Sequence, residues 1–181
     1  AVITTTSTVN SDGTARALSL NATGATGKVV VASAVGNSAA LNQLAINASA
    51  IALNGSNITT SGNQSYTGAI TLGANTALTG SNITTTNASS TIAGAGNSLA
   101  VVGNASIGGD VSNVSTVDVS GTTRLAANVS STASQTYVGA ITLGADATVL
   151  TNGSSAVITT TSTVNSDGTA RALTMNANNG G

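Results

Sequence analysis

The sequence predicts an all-β fold, a right-handed parallel β-helix (β-solenoid) of about eight coils, each roughly 18–25 residues long. The prediction rests on short repeats, on the alternation of Val, Ile and Leu with small polar residues, and on a charged content of only 5%. ALNGSNITT at 52–60 returns as ALTGSNITT at 77–85, an offset of 25, with eight of nine residues identical. A unit of this size is too small for a domain, but it holds three strands and three corners, as one coil of a stack does.

Longer repeats predict that a single solenoid continues through residues 1–181. Residues 99–112 align with 117–130 at an offset of 18, and 64–74 match 135–145 at nine of eleven positions. Residues 1–18 and 156–173 are identical, so a long repeat covers 1–155 and a second copy begins at 156. If seven coils fill the long repeat, the mean coil has about 22 residues.

The first segments of the chain read as strands joined by polar turns. Residues 2–9 are rich in β-branched side chains, and NSDG at 10–13 predicts a turn because Asn, Asp and Gly tolerate positive φ. Residues 17–22 alternate, and 28–35 contain an apolar run suited to a buried strand. Residues 39–53 have loose helical spacing, but Asn and Ser are poor helix formers and period two fits better, so strands are expected.

From residue 54 onward the predicted strands are short and regularly spaced. Their cores are NITT, YTGAITL, TAL, NITTT, SLAVV, ASIGG, TVDV, TRLAANV, YVGAITL and ATVL. Alternation along 66–72 directs one set inward, Tyr66, Gly68, Ile70 and Leu72, and the other outward, Thr67, Ala69 and Thr71. Equivalent side chains of stacked coils lie ~4.8 Å apart, which explains the scarcity of charge and the abundance of Asn and Thr.

The composition argues against several classes of function. The net charge is −1 and the basic residues are scattered, at Arg16, Lys28, Arg124 and Arg171, so no nucleic-acid partner is expected. Cys and His are absent, which argues against disulfides, thiolate chemistry and ordinary zinc or copper sites. No apolar run reaches the length of about 18 residues that a membrane span needs. The sequence opens without Met or a signal peptide and neither end resembles a cap, so we expect a segment of a longer polypeptide.

Two adjacent segments carry a family resemblance. VSGTTRLAANVSSTAS at 119–134 and QTYVGAITLGADATVL at 135–150 resemble the repeat regions of large bacterial surface exoproteins of the filamentous haemagglutinin type. The resemblance is best over 52–161. It implies a right-handed parallel β-helix secreted by a bacterium to the cell surface or exterior. There it would be a structural segment of a filament acting in adhesion, surface coating or biofilm matrix, without catalysis. Host or neighbouring cell surfaces and glycans are the further partners that it implies.

No catalytic, cofactor-binding or metal-binding residue is predicted. The acidic residues are Asp12, Asp110, Asp118, Asp146 and Asp167, and the coil alignment stacks Asp118 on Ala100 and Asp110 on Asn128. A polysaccharide-active β-helix enzyme, one alternative, needs two carboxyls about 5–10 Å apart, and the chain has no Trp or Phe to stack on a sugar. GGD at 108–110 and NSDGT at 10–14 and 165–169 predict turns rather than calcium loops, which need more spaced acids.

Runs of Thr raise a second alternative, an ice-binding solenoid. ITTT occurs at 3–6, 83–86 and 158–161 and ITT at 58–60, and the copies at 58 and 83 are expected to lie one coil apart. Thr is also simply a good strand former. Asn-x-Ser/Thr sequons leave glycosylation open, although Asn at a corner before a strand also produces them. They begin at Asn21, Asn47, Asn54, Asn57, Asn63, Asn82, Asn87, Asn104, Asn113, Asn128 and Asn152.

The repeated ends predict self-assembly. Because residues 1–18 return at 156–173, copies of the chain are expected to continue one another through tandem repeats or head-to-tail stacking of coils. Seven coils would then add about 34 Å to the filament axis for each long repeat.

Overall fold

The computed structural model describes residues 1–178, which form 19 β-strands and no helix. The strands are β1 (Val2–Thr5), β2 (Ala17–Ala22), β3 (Lys28–Val31), β4 (Gln43–Leu53), β5 (Asn57–Thr59), β6 (Gln64–Leu72), β7 (Thr76–Thr85), β8 (Ile92–Ala93), β9 (Leu99–Ile107), β10 (Val111–Val114), β11 (Val117–Val119), β12 (Thr123–Leu125), β13 (Val129–Ser131), β14 (Gln135–Tyr137), β15 (Ile141–Leu143), β16 (Ala147–Thr151), β17 (Ile158–Thr160), β18 (Val164–Ser166) and β19 (Leu173–Ala177). The predicted all-β architecture is confirmed over these residues. Residues 179–181 of the predicted segment lie outside the described part.

Parallel pairing arranges the strands in three columns, which we name faces A, B and C. Face A contains β1, β3, the end of β4, the end of β6, β8, β10, β13, β16 and β19. Face B contains single bridges at Val9 and Val35, then β5, the starts of β7 and β9, β11, β14 and β17. Face C contains β2, the starts of β4 and β6, the ends of β7 and β9, β12, β15 and β18. The chain visits A, B and C in turn, which is the path of a β-solenoid.

The strands stacked on face A give the number of coils. Its stacked inward positions are Ile3, Val29, Ile51, Ile70, Ile92, Val111, Val129, Val149 and Met175. Nine stacked strands enclose eight coils, which confirms the predicted solenoid of about eight coils. The shortest coil runs from Val111 to Val129, an offset of 18. The two longest coils run from Ile3 to Val29 and from Val149 to Met175, each with an offset of 26. Both longest coils exceed the predicted range by a single position, because each contains the loop of the repeated segment, at 10–16 and at 167–172, which extends one corner.

The interior is one apolar column that runs along the axis. Buried Val, Ile and Leu side chains from all three faces form a single cluster from Leu20 to Val149. Tyr66, Ile70 and Leu72 are buried, as predicted from the alternation. Segment 39–53 contains strand β4 with alternating burial and no helix, which confirms the preference for strands. Removal of this apolar area from water, at roughly 25 cal/mol per Å², is the main favourable term in the fold.

Glycines turn two of the corners inside long strands. Gly68 in β6 has φ +127° and Gly103 in β9 has φ +140°. A Cβ atom on Gly68 would lie 1.7 Å from the carbonyl oxygen of Ala48, and one on Gly103 would lie 1.9 Å from that of Gly80. The backbone of the preceding coil therefore fills the space that any larger residue needs. Gly68, predicted to point inward, instead sits half-buried at a corner, and the alternation continues through it.

The repeat at an offset of 18 is a true coil, whereas the repeat at an offset of 25 is not. Leu99 pairs with Val117, as the shorter offset predicts. Ile58, however, pairs with Leu78, and Ile83 pairs with Gln64. The prediction that the copies at 58 and 83 lie one coil apart is therefore wrong. The copy at 52–60 runs from face A to face B, and the copy at 77–85 runs from face B to face C. An offset of 25 therefore advances the chain by one coil of three faces and one face more, which makes four faces.

The two longer repeats also fall on different faces. Gln64 lies on face C and its counterpart Gln135 on face B. Ile3 lies on face A, and Ile158, the same position in the second long repeat, lies on face B. The long repeat therefore spans seven coils and one further face, and its interpretation as seven coils is wrong. All three faces require the same inward alternation and polar corners, so a duplicated segment fits on any of them.

Substitution of Gly68 tests the close approach of stacked coils. Gly68→Ala places a Cβ atom on a residue with positive φ, which costs roughly 1–2 kcal/mol of stability. The Cβ atom also clashes with the backbone of Ala48, which costs roughly 1–3 kcal/mol more. Gly96→Ala is the matched control, because Gly96 has φ +84° and nothing within 4 Å of an added Cβ. We expect denaturant melts to show the larger loss of stability for Gly68→Ala. Equal losses would contradict the packing of these coils.

Candidate functional surfaces

The five carboxylates are spread over the molecule, and four have defined partners. Asp12 pairs with Arg16 at 3.0 Å and Asp167 with Arg171 at 3.3 Å, and these hydrogen bonds lower the pKa of both carboxyls. Asp118 points outward from β11 and stacks between Ala100 and Thr136, which confirms its predicted neighbour.

Asp110 and Asp146 are the two acids that share a surface depression. It has a volume of about 200 Å³, and Asn128 of the intervening coil also lines it. Asp110 accepts the backbone N–H of Asn128 at 2.9 Å, as the predicted stacking requires, and Asp146 accepts that of Ala172 at 2.9 Å. Both carboxylates therefore serve as acceptors between coils. Residues 1–178 contain no cluster of three or more acidic side chains that could hold a metal ion.

A recurring corner contact joins neighbouring coils from Asn75 onward. An Asn, Asp or Ser at a corner, directly before a stacked segment of strand, accepts the backbone N–H of the residue stacked on it one coil later. The pairs, with distances between 2.9 and 3.1 Å, are Asn75 with Ser98, Asn104 with Thr122, Asp110 with Asn128, Asn128 with Thr148, Ser134 with Val157 and Asp146 with Ala172. At these corners the ladder of backbone hydrogen bonds is interrupted, and the side chain supplies an acceptor.

Three stacked asparagines form a ladder at the corner between faces B and C. The side-chain amide of Asn82 donates to Asn63 at 2.9 Å, and that of Asn104 donates to Asn82 at 3.2 Å. The side-chain oxygen of Asn104 then accepts the hydroxyl of Thr122 at 3.0 Å. The ladder borders an open groove of about 500 Å³ on face C that Arg124 also lines. Asn, Thr and Ser side chains line most of this groove, and Arg124 is the charged residue in it.

Two buried polar networks lie inside the apolar column. Tyr66 donates its hydroxyl to Gln64 at 2.7 Å, and the amide of Gln64 donates to the carbonyl of Thr79 at 2.8 Å and to the hydroxyl of Thr60 at 3.3 Å. The second network repeats this arrangement. Tyr137 donates its hydroxyl to Gln135 at 2.8 Å, and the amide of Gln135 donates to the hydroxyl of Ser131 at 3.0 Å and to the carbonyl of Leu150 at 2.7 Å. Burial raises the pKa of both tyrosines well above the ordinary value.

Sequence reasoning missed both the networks and the corner contacts, although each leaves a signal. The networks follow the pattern Ser/Thr-x-x-x-Gln-x-Tyr at 60–66 and 131–137. The corner contacts follow from a short polar residue directly before a strand. Both tyrosines are fully buried, so neither can stack on a sugar ring at the surface.

The Thr runs do not assemble into one array within residues 1–178. Ile3 lies on face A, Ile83 on face C, and Ile58 and Ile158 on face B, five coils apart. The flat array that an ice-binding solenoid requires is not formed by these runs. The sequon asparagines all lie outside the column, ten of them exposed and Asn104 half-buried.

The last coil leaves inward positions uncovered among the described residues. Val164 on face C and Met175 on face A stack on buried residues of the preceding coil, yet their side chains are 38% and 40% exposed. In the first coil Ile3 and Val9 are only partly buried. Among residues 1–178 no helix has the length and hydropathy needed to cross a membrane.

The chain matches no protein-family model, no curated protein and no solved structure. The resemblance to repeats of the filamentous haemagglutinin type therefore remains a prediction from its sequence motifs.

The corner contacts predict a measurable loss of stability in Asn128→Ala. The substitution removes the acceptor for the N–H of Thr148, and a hydrogen bond of this kind contributes about 1 kcal/mol. Asn57→Ala is the matched control, because Asn57 is exposed at the start of the stacked strand β5 and its side chain makes no hydrogen bond within the described residues. We expect urea melts to separate the two variants; identical midpoints would contradict the role of Asn128.

The buried tyrosines predict alkaline unfolding. Their pKa values are raised by burial, so their stabilisation is complete below the unfolded value of about 10 and is lost as the pH rises above it. The chain has no His, so we expect nearly constant stability between about pH 5 and 9. Thermal melts followed by circular dichroism at increasing pH should show this. The double variant Tyr66→Phe, Tyr137→Phe should be less stable at pH 7 but flatter above pH ~10; an unchanged alkaline slope would contradict the assignment.

Proposed function

We propose that this chain is a structural segment of an extracellular or cell-surface filament, acting in adhesion, surface coating or biofilm matrix. The observation that carries the proposal is the placement of the second long repeat. Residues 156–173 repeat 1–18, and they continue the stack by pairing with β14, β15 and β16. A repeat whose beginning stacks on its own end builds a rod without an intrinsic stop.

The interior and the surface both suit a scaffold. Side chains fill the column from Leu20 to Val149, and the buried glutamines and tyrosines bond to one another within it. The outer surface carries mainly small polar side chains, with the exposed valines Val102, Val138 and Val157 among them, and only 5% of the residues in the whole chain are charged. A long and regular surface of this kind suits many weak contacts with a cell surface or a glycan better than one deep pocket. A bacterial, secreted location belongs to the same proposal and rests on the sequence resemblance.

Electron microscopy and fibre diffraction of the purified full-length protein test the filament. We expect thin unbranched rods with a layer spacing of ~4.8 Å along the axis. Compact particles without that axial spacing would contradict the proposal.

A polysaccharide-active enzyme is the competing outcome, and Asp110 and Asp146 are the acids to test. We expect no product release when the chain is incubated with acidic and neutral polysaccharides. Release that Asp110→Asn and Asp146→Asn abolish, while Asp118→Asn leaves it intact, would overturn the structural role in favour of catalysis.

A further inference from the structure

The identical segments 1–18 and 156–173 have the same local shape on different faces. Gly13 has φ +95° and Gly168 has φ +96°. Asp12 pairs with Arg16, and Asp167 pairs with Arg171 in the same way. The sequence therefore fixes the shape of the segment, while the number of faces that precede it fixes its position around the axis.

The second copy shows what the segment packs on. Ile158 stacks on Gln135, Val164 on Ile141 and Leu173 on Ala147. In the first copy, the corresponding residues Ile3, Val9 and Leu18 pair with a later coil on one side only, among the described residues. The opposite side of these residues, along β1, Val9 and β2, has no stacked strand among the described residues, and we call it the lower edge. It carries unpaired strand backbone and partly exposed apolar side chains.

We infer that the lower edge is an interface for another copy of the long repeat, which contributes residues 135–151, and that consecutive repeats are rotated by one face, a third of a turn. The inference rests on the proposed filament and specifies its symmetry. The occupant is identified by the chain itself, because the same eighteen residues already pack on 135–151 at 156–173. The preceding repeat brings Gln135 and Tyr137 under Ile3 and Thr5, as they lie under Ile158 and Thr160.

The face count gives the dimensions of the filament. From Ile3 to Val149 the chain makes seven coils of three faces, and Ile158 lies one face further, which makes 22 faces per repeat. One repeat therefore rises about 35 Å, and three repeats, 22 coils, return to the starting face after about 106 Å. Every surface of the repeat, including the asparagine ladder, is displayed on all three sides of the fibre. A binding surface on this rod therefore meets partners from any direction.

Labelled chains extended by whole long repeats test the rotation. Residues 1–155 are placed four times before 156–181, with Asn57→Cys in every repeat as the only cysteines, because the natural sequence has none. Gold bound to these cysteines is located by cryo-electron tomography. We expect three rows of particles about 120° apart, with successive particles about 35 Å apart along the axis, once the coil-to-coil twist seen in the same images is subtracted. A single row at about 34 Å spacing would overturn the inference.

A matched control removes one whole coil from every repeat. Deletion of residues 111–128 takes out one coil, which is three faces, and joins Asp110 directly to Val129. We expect the spacing to fall to about 30 Å while the three rows remain. Loss of the rows at the shorter spacing would show that rotation is not set by the number of faces.

Distances between spin labels in the unextended chain test the rotation of the second repeat relative to the first, even if the extended chains do not fold. Thr4 and Leu150 lie on face A seven coils apart, and Thr159 lies a third of a coil higher on face B. We expect the distance from position 4 to 159 to exceed that from 4 to 150 by several ångströms. Equal distances would contradict the rotation, whether or not filaments form. Rods with a single row of labels would contradict the rotation and leave the filament itself intact.

Discussion

The hydrogen bond between one coil and the next is the interaction on which the rest of this structure depends. It stacks equivalent positions ~4.8 Å apart along the axis, so each side chain has its counterpart above and below as nearest neighbours. A charge at a stacked position would face another charge if the coil repeated it, and like charges directly opposite are destabilising. Val, Ile and Leu stack inside, and Thr, Ser and Asn stack outside. The 5% charged content is a consequence of this spacing.

At the corners the ladder of backbone hydrogen bonds is interrupted, so some backbone N–H groups need another acceptor. Side chains of Asn, Asp and Ser accept the N–H groups that would otherwise lack a partner, as Asn104 does for Thr122 and Asp146 does for Ala172. Where the coils approach most closely, only Gly fits, as at Gly68. The frequent sequons follow in part from this role, since several of their asparagines stand directly before a strand.

The sequence predicts the strands, most of their inward residues and the number of coils, but it does not show which copies of a repeat stack on one another. Alternation along 66–72 marks the buried positions Tyr66, Ile70 and Leu72 directly, and only Gly68, at a corner, departs from it. The offset of 25 was misleading because a strand and its corner form the duplicated unit, and three equivalent faces accept that unit equally well. The local partners of Gln64 and Gln135 leave the pattern at 60–66 and 131–137, whereas their distant partners, Thr79 and Leu150, come from a later coil. Only the pairing register reveals those neighbours.

The repeats at offsets of 25, 71 and 155 follow whole faces and not whole coils, and engineered disulfides in the cysteine-free chain test this most directly. Thr59 and Thr79 are stacked neighbours on face B, whereas Thr84, which matches Thr59 in the repeat at an offset of 25, lies on face C. Parallel neighbours have Cα atoms ~4.8 Å apart, which falls within the range of a disulfide. Oxidation of Thr59→Cys, Thr79→Cys should therefore give an intramolecular disulfide, and Thr59→Cys, Thr84→Cys should keep free thiols. A disulfide in the second variant and none in the first would contradict the account.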